Sequence, residues 1–90
     1  MKKQIILKIY GKVQGVFFRE ETRKKAKELN LAGSVKNEPD GTVRIVAEGE
    51  ESELEEFTEW CRSSPDHTKV DKVEVEWFGS ANHFHDFLIE

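Results

Sequence analysis

The sequence predicts an α+β sandwich in which two helices lie on one face of a mainly antiparallel sheet. Three observations carry this. Apolar and polar residues alternate over 4–10, and alternation returns at 32–38, 42–48 and 73–77. Apolar residues fall at helical spacing from Phe18 and again after Ser52. Clusters of Gly, Pro, Asn, Asp and Ser separate these stretches.

In the first stretch Ile5, Leu7 and Ile9 share one face and Lys8 and Tyr10 the other, as in a half-buried strand. Gly11 to Gly15 interrupts it with turn-permitting residues. Phe18, Thr22, Ala26 and Leu29 then line one side of a helix. Glu20 and Glu21 occupy its first turn and Lys24, Lys25 and Lys27 follow, the polarity a helix dipole favours. Glu20–Lys24 and Glu21–Lys25 are expected as ion pairs at i,i+4, and Asn30 as the left-handed residue that ends the helix.

Strands are expected at 32–38 and 42–48, with Val43, Ile45 and Ala47 on the buried face of the second. Between them Asn37-Glu38-Pro39-Asp40-Gly41 suits a tight hairpin, since Pro39 presets its backbone angle and Gly41 accepts a positive φ. Ser52 with Glu55 has the spacing of a capping box, opening a helix whose Leu54, Phe57 and Cys61 share a face. Ser63-Ser64-Pro65-Asp66 breaks the chain, Val73, Val75 and Trp77 alternate as a strand, and residues 84–89 form a short last one. The order β-α-β-β-α-β plus a terminal strand is that of a split βαβ, ferredoxin-like sandwich. Residues 1–90 are expected to form a single domain, because two halves would each be too small to bury a core.

Hydrophobic residues are 37% and charged residues 36%, polar for a folded chain, but the periodic blocks argue against disorder. A net charge of −4 argues against nucleic acid or an anionic membrane as partner, since both are bound through clustered Lys and Arg. It leaves room for a small anion held by one arginine and backbone N–H groups. Cys61 is alone and has no internal disulfide partner. The apolar run Ile5–Leu7 is too short for a signal sequence, and no segment approaches the roughly 20 apolar residues of a membrane span. A cytoplasmic location is expected.

Gly11-Lys12-Val13-Gln14-Gly15-Val16-Phe17-Phe18-Arg19 joins the first strand to the first helix. The first N–H groups of a helix lack internal partners and the dipole adds positive potential there, so such a junction suits an anion. Gly15 lets successive N–H groups converge, and Arg19 offers a planar fork for two phosphate oxygens. Taken alone, the same residues fit a plain strand–helix connection with a surface arginine. The stretch is neither a Walker loop nor G-x-G-x-x-G. Val16-Phe17-Phe18 has a faint likeness to an RNA-binding RNP1 block, but that block lies on a strand rather than at a helix start. Asn37, at the end of a strand, can donate and accept at once, which suits holding a water; alone, it equally suits capping the turn.

Together, G-x-V-Q-G-V-x-F-R at 11–19 and G-x-V-x-N-x-x-x-G-x-V at 33–43 resemble the two signatures of the acylphosphatase family. The likeness continues through Gly49, a Pro65-led loop and Val70–Trp77. The resemblance implies an enzyme that hydrolyses the carboxyl–phosphate bond of acyl phosphates. It implies a phosphate cradle from Gln14, Gly15, Val16, Phe17, Phe18 and Arg19, with Arg19 binding the phosphoryl group and Asn37 orienting the attacking water. It further implies a monomer without cofactor or metal, inhibited by its product inorganic phosphate, with no nucleic-acid or membrane partner. Ser34 stands where the family usually has an aromatic residue, and the glycine often found before Pro65 is missing. By alternation Ser34 points away from the Val35 and Asn37 face, so altered packing is expected rather than lost chemistry. Such segments also occur inside larger carbamoyl-transfer proteins; at 90 residues this chain is expected to stand alone.

His83 and His85 would share a strand face and could bind a metal, but no third ligand has clear spacing. Cys61 is expected to pack rather than to act as a nucleophile. Trp60, Trp77, Phe57, Phe84 and Phe87 read as core or edge packing. The alternative to an enzyme is a non-catalytic module of this fold that binds a phosphorylated metabolite or a protein partner. Retention of both Arg19 and Asn37 favours the enzyme.

Overall fold

In a computed structural model that describes residues 2–15, 17–63, 65, 68–79 and 82–90, the chain runs β1 (Lys2–Lys12), α1 (Phe18–Glu28), β2 (Ala32–Asn37), β3 (Val43–Glu50), α2 (Glu51–Arg62), β4 (Lys69–Gly79) and β5 (Phe87–Ile89). The sheet order is β4-β1-β3-β2-β5. Neighbours pair antiparallel except β5, which lies parallel to β2. This is the ferredoxin-like arrangement expected, with β5 extending one edge.

The registers set Ile5, Leu7 and Ile9 of β1 opposite Ala47, Ile45 and Val43 of β3, and Val35 of β2 opposite Ile45. All seven are 0% exposed, so alternation on three strands builds one continuous apolar face. Helix α1 covers β2 and β5, and α2 covers β1, β3 and β4. Phe18, Ala26, Leu54, Phe57 and Cys61 come down from the helices to close the core. The ring of Trp60 stacks near Phe18 and Phe57 with centroids 6.1 Å from each, tying the start of α1 to α2.

The hairpin between β2 and β3 forms as its residues require. Gly41 donates to the Glu38 carbonyl at 3.1 Å, and Glu38 donates to the Thr42 carbonyl at 2.8 Å. Gly41 takes φ +90°, which closes a three-residue loop with a bulge. Asp40 accepts from the Thr42 N–H and hydroxyl. These bonds, with Lys8 nearby, lower its carboxyl to about 2.

Four expectations are corrected. Helix α2 begins at Glu51, directly from β3. Its N-cap is Glu50, with no side-chain cap hydrogen bond, and Ser52 already lies in the first turn. A capping box needs a loop residue before the helix, and here a strand runs straight into it. The last strand covers only 87–89, because the N–H groups of His83 and Phe84 donate to the buried carboxylate of Glu48 instead of a strand ladder. His83 and His85 therefore do not share a strand face. The α1 ion pairs are Arg23–Glu20 and Lys25–Glu28, both at i,i+3. Strands β1 and β4 run longer than their alternation suggests, because the two pair with each other from Lys3–Gly79 to Lys12–Lys69, and a backbone ladder continues without alternating side chains. Ser64 and Asp66, expected in the chain break before β4, lie outside the described residues.

Candidate functional site

The loop leaving β1 is fastened at both ends. Val13, 1% exposed, anchors it in the core, and Phe18 does the same at the first residue of α1. Between them Gly15 (φ +74°) and Phe17 (φ +61°) are left-handed. Gly15 adopts that conformation freely, whereas Phe17 does so at a cost. The Gln14 side chain spans to the hairpin: its Nε2 donates to the carbonyls of Glu38 and Thr42, each at 2.9 Å. One amide thus holds the loop against the turn that follows Asn37.

A cavity of about 380 Å³ lies at this junction, lined by Val13, Gly15 and Phe17 of the loop, Phe18, Arg19 and Glu20 of α1, Asn37 of β2 and Ile89 of β5. The first turn of α1 opens onto it, where backbone N–H groups have no intrahelical acceptor. The Arg19 Nη1 donates to the main-chain oxygen of Glu90 at 2.8 Å, and the Glu90 N–H in turn donates to the Val35 carbonyl. Tethered at one nitrogen, the guanidinium keeps most of its five N–H donors for a ligand. Asn37 ends β2 on the same face as Val35, and its Oδ1 is buried with no hydrogen-bond partner. Among the described residues Thr22 Oγ1 in the core shares this state, but Asn37 alone of the two lines the cavity, where a water or ligand would recover the roughly 1–3 kcal/mol that an orphaned buried acceptor costs.

The residues named from the motifs separate into three groups. Gly15, Phe17, Phe18, Arg19 and Asn37 are brought together around the cavity. Gln14 turns its side chain away from it, into the hairpin. Val16 lies outside the described residues. Phe18 is 2% exposed and stacked on Trp60, so only its backbone can face a ligand. The motifs gave no hint of Ile89 and Glu90. They reach the site because β5 pairs parallel to β2, and local sequence carries no mark of that pairing.

The other candidates lie elsewhere. His83 and His85 belong to the connection before β5, and among the described residues no three His, Cys, Asp or Glu side chains cluster as metal ligands. Cys61 is 0% exposed, and burial pushes its thiol far above the usual range, so it offers no thiolate. A wider groove of about 450 Å³ on the opposite sheet face places Lys8 and Arg44 among Asp40, Glu74 and Glu76. Those carboxylates outnumber its cations, which disfavours an anion there despite the greater volume. No helix of the described residues is long and apolar enough to cross a membrane.

Comparison with known proteins gives consistent findings. Residues 5–89 match the acylphosphatase family. The chain is 47% identical over 81 residues to an acylphosphatase of Marinobacter nauticus, covering 90% of this chain and 88% of that one. Among solved structures it resembles an acylphosphatase from Coxiella burnetii, with TM-score 0.92 and 42% identity over 99% of this chain and 93% of that chain. It also resembles the acylphosphatase from Bacillus subtilis, with TM-score 0.93 and 38% identity over 100% and 99%.

Proposed function

The chain belongs to the acylphosphatase family, hydrolases of small-molecule acyl phosphates, and from that premise we propose how its residues divide the work. Arg19 and the backbone N–H groups of residues 14–19 bind the phosphoryl group. Asn37 holds the attacking water. The observation that carries this is the buried, unpartnered Oδ1 of Asn37 lining the same cavity as the partly uncommitted Arg19 guanidinium.

The chemistry needs little more. The leaving group is a carboxylate, whose conjugate acid has a pKa near ~4, so it departs without being protonated. The transition state is loose, with charge spread over the equatorial phosphoryl oxygens, and catalysis reduces to positioning and electrostatic stabilisation. Arg19 and the loop N–H groups answer that charge. Asn37 accepts a hydrogen bond from the water through Oδ1, aiming a lone pair at phosphorus. The substrate's own phosphoryl oxygen takes the water's proton, which removes the need for a separate base. Two further supports come from the scaffold: Gln14 fixes the spacing between cradle and Asn37, and Glu90 fixes one nitrogen of Arg19.

On this reading residues 1–90 act as one domain, as a cytoplasmic monomer, without metal or cofactor. Inorganic phosphate competes with substrate because the cradle recognises the phosphoryl group itself. The test is hydrolysis of benzoyl phosphate by wild type, Arg19→Ala and Asn37→Ala, with phosphate binding measured by calorimetry. Each variant is expected to lose about 10²–10³ in kcat, the cost of removing one preorganised donor or positioning group. Phosphate binding should weaken sharply in Arg19→Ala and persist in Asn37→Ala. Wild-type turnover in Asn37→Ala would refute its role.

A further inference from the structure

We infer that Phe17 selects the acyl group, its ring forming the apolar wall against which the carbon chain of the substrate rests; this rests on the acylphosphatase reading above. Among the described residues four apolar side chains line the cavity, and they differ sharply in what a ligand can reach. Val13 and Phe18 are 1% and 2% exposed and belong to the core, and Ile89 is half-buried. Phe17 is 81% exposed. It takes no part in the core cluster and is held at φ +61°, a conformation a bulky side chain adopts only at an energetic cost. A phenyl ring kept in water and in a strained backbone contributes nothing to packing. It does present an apolar surface beside Arg19 and Asn37.

Substrate geometry gives that surface a use. In an in-line displacement the water approaches phosphorus opposite the leaving carboxylate, so the acyl group projects out of the cradle toward solvent. Among the described residues the one exposed apolar side chain lining the cavity is Phe17. An aromatic or aliphatic acyl group covers the ring and is itself shielded from water. Glu20, paired with Arg23, lines the same cavity and adds a carboxylate to its rim, which disfavours an anionic acyl tail. The favoured class is therefore acyl phosphates with an uncharged, apolar carbon skeleton, over very small or dicarboxylate-derived ones.

The experiment compares wild type with Phe17→Ala and Phe17→Leu. All three residues carry a Cβ and meet the same left-handed backbone, so the comparison isolates the side chain. The readout is the ratio of kcat/KM for benzoyl phosphate to that for acetyl phosphate. A parallel readout is the ratio of dissociation constants for benzylphosphonate and inorganic phosphate. Both ratios should shift against the aromatic ligand by about tenfold in Phe17→Ala, with Phe17→Leu between, as expected for removing an apolar contact that acts on one substrate only. A disturbed loop backbone would lower both substrates together and leave the ratios unchanged, which would overturn the inference. No turnover of either acyl phosphate by the wild-type chain would overturn the hydrolase reading instead. The benzylphosphonate-to-phosphate ratio still decides on Phe17 in that case.

Discussion

Replacing Gln14 by alanine removes the two 2.9 Å hydrogen bonds that join the β1–α1 loop to the hairpin. Neither carbonyl is orphaned, since Glu38 still accepts from Gly41 and Thr42 from Glu38. The loss is therefore the net value of two bonds, about 1 kcal/mol each and about 2 kcal/mol together, without a further desolvation penalty. For a domain of this size that lowers Tm by about 8–16 °C. Gln14→Glu should be worse at neutral pH, because its carboxylate faces two carbonyl oxygens that can donate nothing. Urea unfolding followed by tryptophan fluorescence measures both variants. The same bonds hold the cradle against the segment after Asn37, so kcat for benzoyl phosphate should fall by more than the small folded-fraction loss at 25 °C accounts for. If Gln14→Glu proved as stable as wild type, the bridging role would be refuted; if Gln14→Ala lost stability with kcat intact, its positioning of the cradle would be.

Three further outcomes are expected. Arg19→Lys should recover little of the activity lost in Arg19→Ala, since an ammonium cannot bond Glu90 and two phosphoryl oxygens in one plane; kcat/KM for benzoyl phosphate measures it. Acyl phosphates should be cleaved far faster than alkyl phosphates, because an alkoxide needs a proton donor and the residues assigned to the reaction include none; comparable kcat/KM values would reveal a hidden general acid. Asp40 has a carboxyl lowered from 3.8 to about 2 by its bonds to Thr42 and by Lys8, so its stabilising effect is fully present above pH 3.8 and lost as pH falls through about 2. Asp40→Asn should therefore be less stable than wild type at pH 7. The gap should close in acid, as read from unfolding midpoints across that pH range.

Much of this protein was legible in one dimension. The strands and helices show because an alternating or a 3.6-residue pattern needs only neighbours two to four residues apart, as with Ile5, Leu7 and Ile9 or Leu54, Phe57 and Cys61. The hairpin shows because Pro39 and Gly41 act on their own backbone angles. Arg19 and Asn37 were found through motif spacing, which marks residue types at fixed offsets.

What stayed hidden depends on partners distant in the chain. Glu48 reads as a solvent-facing strand residue by alternation, yet it is 8% exposed because Gln4 and the N–H groups of His83 and Phe84 converge on it. That convergence also shortened the last strand. Ile89 and Glu90 enter the site, and Gln14 spans 24 and 28 residues to reach the hairpin, only through the way strands pair. Periodicity tells which face of an element is apolar, whereas a hydrogen-bond acceptor is chosen by whichever donor the fold brings near. The sequence alone therefore determined the order and type of the elements, their buried faces and the positions of the two motifs; tertiary structure alone decided where the elements end and which distant groups hold Arg19 and the β1–α1 loop in place.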